Sequence, residues 1–227
     1  MNISEQDYKK HSGLIQKALV ELKNPSQSMT ETYLKVFTFK KDDLENLLVA
    51  RVAIGHPGNP DLSVVYFAGE HYRLFFAVYF KNDSICGVDI QSGHQVDLTA
   101  TSKSLNSSEL IHYVPNLNIV TEWSKGDQCK NRDIKYKFSR ISIDPNPNNA
   151  FDFEDKLNLL LDHLEQNPDG VRQLVEKSDY AAISVCKYHY IASYNAPSLS
   201  VQAMKRLSLL NLSVDVSLYV TGEAFTE

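Results

Sequence analysis

Cysteine is scarce in this chain and badly placed for cross-linking. The 227 residues hold three, Cys86, Cys129 and Cys186, far apart and without a CxxC pair. That pattern argues against a disulfide framework or a zinc site, and no metal is expected. Long apolar runs are also missing, since nothing approaches the ~18 consecutive apolar residues of a membrane helix, and no membrane partner is expected. Residues Met1 to Asp7 are polar and lack the apolar centre of a secretion signal, so the expected location is cytoplasmic. Strong charge of either sign is absent. A formal net charge of −5 lacks the basic excess of a nucleic-acid binder, so nucleic acid is not expected as a partner. A mildly acidic surface suits a basic protein partner. There is no GxGxxG, GxxxxGK[ST], HExxH or GxSxG, the arrangements that would announce a nucleotide site, a zinc protease or a serine nucleophile. No catalytic residue and no cofactor are therefore assigned, and the balance tilts away from an enzyme.

What is present is the composition of a globular protein, 43% hydrophobic and 22% charged. A chain of this length fits one large domain or two small ones and buries roughly 70% of its unfolded surface. The cleanest periodicity runs from Asp152 to Val220 and reads helix, strand, helix, strand. Phe153, Leu157, Leu160, Leu161 and Leu164 form one apolar stripe at helical spacing. Asn167-Pro168-Asp169-Gly170 stops that helix, and Val171–Val175 allows one more short turn. Tyr180–Ile191 reads as a strand, with Ala181, Ile183 and Val185 on one face and Cys186, Tyr188 and Tyr190 on the other. Either both faces are partly covered or a bulge near Val185 switches the phase. A helix with Val201, Met204, Leu207 and Leu210 at spacings of three follows. In the last strand Val214, Val216, Leu218 and Val220 alternate with Ser213, Asp215, Ser217 and Tyr219, which predicts one dry face and one polar face.

Toward the N-terminus, residues 4–23 read as a helix, opened by Ser4 with Asp7 and striped by Leu14, Ile15, Ala18, Leu19 and Leu22. Strands are predicted over Thr32–Phe39, Leu47–Ile54, Leu62–Ala68, His71–Phe80 and Ile85–Ile90. Gly55–Asp61 reads as a loop, Gly69-Glu70 as a two-residue turn and Lys81-Asn82-Asp83 as another turn, together an aromatic-rich antiparallel meander. Ser92-Gly93-His94 marks the predicted boundary between residues 1–94, a helix plus meander, and residues 95–227, an α+β domain of alternating strands and helices. Beyond it come a strand through Val96–Thr101, a helix capped by Asn106 with Glu109, a long polar connection from Pro115 to Arg132, and a strand over Ile134–Ile143. The expected fold class is α+β: an N-terminal helix and antiparallel β-meander packed with a C-terminal ferredoxin-like-type α/β sandwich.

Four features of the second half belong together. They are Val96–Thr101 followed by Leu105 to Ile111; Trp123-Ser124-Lys125-Gly126-Asp127; the leucine-rich Asp155–Leu164; and the serine-started helix and alternating strand from Leu199 to Tyr219. Over about residues 95–221 they resemble a bacterial family known as domain of unknown function 4279. The family's tryptophan in the strand after the connection is missing, and Phe138 stands nearby instead. The resemblance implies a small α+β domain. Because some members lie near toxin genes, it also implies an interaction or immunity role without a known chemistry.

The candidate partner-binding residues are Trp123, Lys125 and Asp127 in the polar connection, and Tyr188, Tyr190 and Tyr219 on the less dry face of the C-terminal sheet. Tryptophan and tyrosine anchor interfaces. The plainer alternatives are a tryptophan that pins its own connection and tyrosines packed against the meander. Three further groups are weighed and set aside. His56, His71 and His94 would have to converge to bind metal. Cys186 and His189, three apart in a strand, point to opposite faces. Asp152, Glu154 and Asp155 suit a helix N-terminus. The leading expectation is a protein-binding module, an immunity-type inhibitor of a bacterial toxin. The alternatives are a small-molecule-binding protein or enzyme with a pocket between the two halves, and a self-associating protein that pairs through an exposed sheet edge.

Overall fold

The computed structural model describes residues 3–56, 59–70, 73–130, 132–148, 150–193 and 198–223. The N-terminal helical segment is split at His11 into α1 (Glu5–Lys10), with the Ser4 hydroxyl accepting from the Asp7 amide, and α2 (Ser12–Lys23), which buries Ile15 and Ala18. A third helix, α3 (Ser28–Leu34), replaces the strand predicted from Thr32. Its cause is the buried Glu21 carboxylate, which accepts from the amides of Ser26 and Gln27 and the hydroxyls of Ser26 and Thr30. Those bonds fold the chain back after Asn24 and supply donors at the start of α3 with a partner. Phe37 then enters the first core with Phe67 and Phe76, while Phe39 keeps a single bridge to Gly69.

The meander is present as β1 (Val49–His56), β2 (Asn59–Ala68), β3 (Leu74–Lys81) and β4 (Ser84–Ser102), each antiparallel to the next. Lys81 pairs with Ser84 across Asn82 and Asp83, both at positive φ (50° and 60°), the geometry of a type I′ turn. Two predicted turns differ. His56 already pairs with Asn59, so the connection after Gly55 is shorter than expected. Gly69-Glu70 is not a two-residue turn: the Gly69 amide donates to the Leu74 carbonyl and the Glu70 amide to that of Thr38, and β3 begins only at Leu74.

A single strand passes through Ser92-Gly93-His94. β4 runs through this point for 19 residues and changes partner inside the strand. Ser84 to Ser92 pair with β3, Gly93 to Thr101 with β7 (Tyr180–Tyr190), and Leu98 to Ser102 also with β6 (Ser139–Ile143). Gly93 is needed there because a Cβ would come within 2.3 Å of the Arg73 carbonyl oxygen. β5 (Ile119–Trp123) joins the far side of β6, within what reads as a structureless connection. β8 (Ser213–Thr221) runs parallel to β7, so the order across this half is β5-β6-β4-β7-β8.

Helices α4 (Ser107–His112), α5 (Phe153–Leu164), α6 (Pro168–Lys177) and α7 (Val201–Leu209) share one core with Val96, Leu98, Ile141, Ile143, Ile183 and Val185. The α5 stripe is buried as its spacing predicts. The short turn expected after it is a full helix, with Pro168 in its first turn and the Asn167 side chain accepting from the Gly170 amide. In α7 the buried residues are Ala203 and Leu207, followed by the C-cap Leu210, whereas Val201 is 64% and Met204 47% exposed. Steps of three fall short of the 3.6-residue turn, so Val201 and Met204 rotate off the buried face. β7 pairs along both edges without a register shift, so no bulge intervenes, and both its faces are partly covered, with Ile183 and Val185 buried on one and Ala182 and Tyr190 on the other. The predicted dry face of β8 is not dry. Val214 packs on the core, but Val216, Leu218 and Val220 are 50, 52 and 59% exposed, because β8 lies last in the sheet. The architecture is α+β with a mostly antiparallel sheet, and no described helix is long and apolar enough to cross a membrane.

Candidate partner-binding face

Strand alternation sends every second side chain away from the helices. On that opposite face the register sets Trp123 beside Arg140, Ser142 beside Thr99, and Thr99 beside Ala182. Its centre is a closed polar network in which Asp97, Thr99 and Ser142 are at most 4% exposed. The Thr99 hydroxyl donates to Asp97 Oδ2 at 2.7 Å. Arg140 donates from Nη2 to Thr99 Oγ1 at 3.0 Å and from Nε to Ser142 Oγ at 3.2 Å. Burial pushes the Asp97 carboxyl above its ordinary range, and the Thr99 bond and the Arg140 charge oppose that push only in part.

Aromatic pairs stand at both margins. Trp123 stacks on Tyr136 with ring centres 4.5 Å apart, and the Arg140 guanidinium lies 5.5 Å from the Trp123 ring. On the other margin Tyr188 and Tyr219, neighbours across the parallel β7–β8 pair, stack at 5.5 Å. Arg73 lies 4.9 Å over the Tyr188 ring and donates to Gln95 Oε1 at 3.2 Å. The Tyr180 hydroxyl donates to Asp215. Each arginine is thus fixed by a hydrogen bond while its planar group rests on a ring.

Of the residues singled out from the sequence, Trp123, Tyr188 and Tyr219 lie on this face. Tyr190 does not; it is buried in the first core with its hydroxyl donating to the Glu223 carbonyl. Lys125 and Asp127 shape the turn between β5 and β6. The Lys125 amide donates to Ser139 Oγ and its Nζ to the Lys103 carbonyl, while Asp127 Oδ2 accepts from the Ser124 amide. Sequence reasoning missed Arg140, Arg73 and Tyr136. Arg140 alone carried a signal, an arginine alternating with apolar residues inside a strand.

The other groups resolve as follows. His94 is buried with Nδ1 3.1 Å from the Phe151 carbonyl, and burial, followed by the Lys187 charge, pushes its pKa down to about 4. His71 and the side chain of His56 lie outside the described residues. Cys186 pairs with Ser217 and His189 with Val220, on opposite faces. Asp152 stands at the N-cap of α5, where its side chain makes no capping hydrogen bond, and Asp155 pairs with Arg51 at 3.7 Å.

A family model described as "Domain of unknown function (DUF4279)" matches residues 94–221, starting one residue after β4 passes from β3 to β7. No curated protein and no solved structure matches the chain.

Proposed function

The chain belongs to the DUF4279 family, and we propose that it is a cytoplasmic protein-binding module of immunity type, which neutralises a bacterial toxin by docking on the polar face of its second sheet. The observation that carries this reading is the make-up of that face. Tryptophan, tyrosine and arginine dominate binding hot spots, and Trp123, Tyr188, Tyr219, Arg73 and Arg140 are gathered there in preset orientations. Side chains already held in place lose little freedom on binding. The net charge of −5 would speed the approach of a basic toxin such as a nuclease. The run β4-α4-β5-β6-α5-α6-β7, with antiparallel pairs and helices on one face, supports reading the scaffold as a ferredoxin-like sandwich with one added helix, α6, and extended by β8.

The small-molecule alternative has less behind it. A pocket where Phe37, Leu74, Ile90, Tyr190 and Gly222 meet holds only about 60 Å³, and ligand sites usually span several hundred Å³. The test is co-expression of the full chain with each product of the adjacent genes, followed by affinity purification and a toxicity assay. The expected result is a stable complex with one neighbour and rescue of growth. No complex with any neighbouring product would end this reading.

A further inference from the structure

We propose that a second copy of this chain docks on the outer edge of β8, antiparallel and centred on Ser217. Among the described residues β8 pairs only with β7, through nine consecutive positions without a register shift. Its other edge therefore presents main-chain donors and acceptors to solvent. Proteins normally blunt such edges with bulges, proline, lysine or short strands. The other edges of this sheet do so: β1 has two register shifts and the Ile3 amide donating to the Val49 carbonyl, and β5 is five residues long with a register shift of its own. β8 has none of these devices.

Its sequence is also complementary to itself. A two-fold axis through Ser217 sets Val216 opposite Leu218, Val214 opposite Val220, Asp215 opposite Tyr219 and Ser213 opposite Thr221. Each residue meets one of the same parity, so the exposed apolar row continues as an apolar row across the seam and the polar row as a polar row. Asp215 is the one charged residue of the strand, and it faces a tyrosine, so no like charges oppose each other. This is the isologous geometry expected of a symmetric dimer.

The area is sufficient but modest. Val216, Leu218, Tyr219 and Val220 are each 50–59% exposed. Edge pairing covers the flanks of these side chains and of the neighbouring polar residues on both copies but not the sheet faces, on the order of 1,000 Å² at most, the low end for a specific interface. The dimer should therefore depend on concentration. It places the two Tyr188–Tyr219 margins on the same side of one continuous sheet. It does not rest on the toxin reading.

The test is light scattering and sedimentation of the full chain from micromolar to millimolar concentration, with circular dichroism to check folding. The wild type should pass from monomer to dimer, and Leu218→Lys should weaken the dimer roughly tenfold or more, because it replaces an apolar cross-strand contact with Val216 by a lysine, the residue with which edge strands resist pairing. The double variant Val216→Glu/Leu218→Lys should restore it through two symmetric cross-strand ion pairs. A wild type that stays monomeric throughout, a dimer untouched by Leu218→Lys, or a folded double variant that does not recover would each overturn the proposal.

Discussion

Lys156 Nζ lies 3.7 Å from Asp144 Oδ2, and the two side chains keep only 1% and 7% of their surface exposed. Lys156 also donates to the Asn148 carbonyl, and Asp144 Oδ1 accepts from the Asn146 amide. The pair fastens the loop that leads from β6 into α5. Burial lowers the Lys156 pKa and the Asp144 charge opposes it. Lys156→Ala should cost roughly 3–5 kcal/mol because it strands a buried carboxylate, whereas Asp144→Asn/Lys156→Met should cost clearly less. Urea unfolding of the three proteins measures the difference.

His94 gives the fold a dependence on acid. Its folded pKa of about 4 lies below the ordinary 6.5, so the unfolded chain binds the extra proton between those values. Stability from this group is complete above pH 6.5 and is lost as pH falls toward 4, by about 3 kcal/mol in all. The raised Asp97 carboxyl works in the opposite sense, so the comparison to make is between the wild type and His94→Gln. The stability difference between them should narrow on going from pH 7 to pH 4.5.

Gly170 lies inside α6, where alanine is ordinarily favoured by about 1 kcal/mol. A Cβ there would come within 2.1 Å of the Tyr113 carbonyl oxygen, the group to which Asn167 Nδ2 donates. Gly170→Ala should therefore destabilise the protein, and a thermal melt that rises would contradict the close approach of α6 to the end of α4.

Glu21 is a buried acid with an assigned task. Burial would raise its pKa, but the bonds from Ser26, Thr30 and Gln27 outweigh that and hold it below the ordinary value. Its contribution is present above the unfolded pKa and lost as pH falls through the lower folded one. Glu21→Gln should cost roughly 1–3 kcal/mol at neutral pH by leaving buried donors with a weaker or missing acceptor. Chemical denaturation at pH 7 checks the cost, and amide exchange in α3 should rise with it.

On the partner-binding face, Trp123→Ala and Arg140→Ala should each weaken capture of the cognate toxin tenfold or more, while Lys125→Ala should change it little. Titration calorimetry on the purified pair distinguishes them. Equal losses from all three would move the contact to the β5–β6 turn.

The elements that could be read in the sequence are those set by near neighbours. The α5 stripe, the Asn106–Glu109 capping box, the Ser200 cap of α7 and the turn at Asn82-Asp83 each depend on residues a few positions apart. Their physics is complete within one turn of chain. Tertiary structure decided the rest. Thr32 and its neighbours have strand-forming side chains, yet Glu21 draws Ser28–Leu34 into a helix. β4 continues through Gly93 because β3 and β7 pair with consecutive stretches of it. Arg140 and Thr99, 41 residues apart, meet only once β6 lies beside β4. Alternation in β8 showed which side chains share a face, but not that the strand would end the sheet and leave that face exposed. Periodicity describes how an element is divided; what covers each side depends on the strand or helix that arrives next to it.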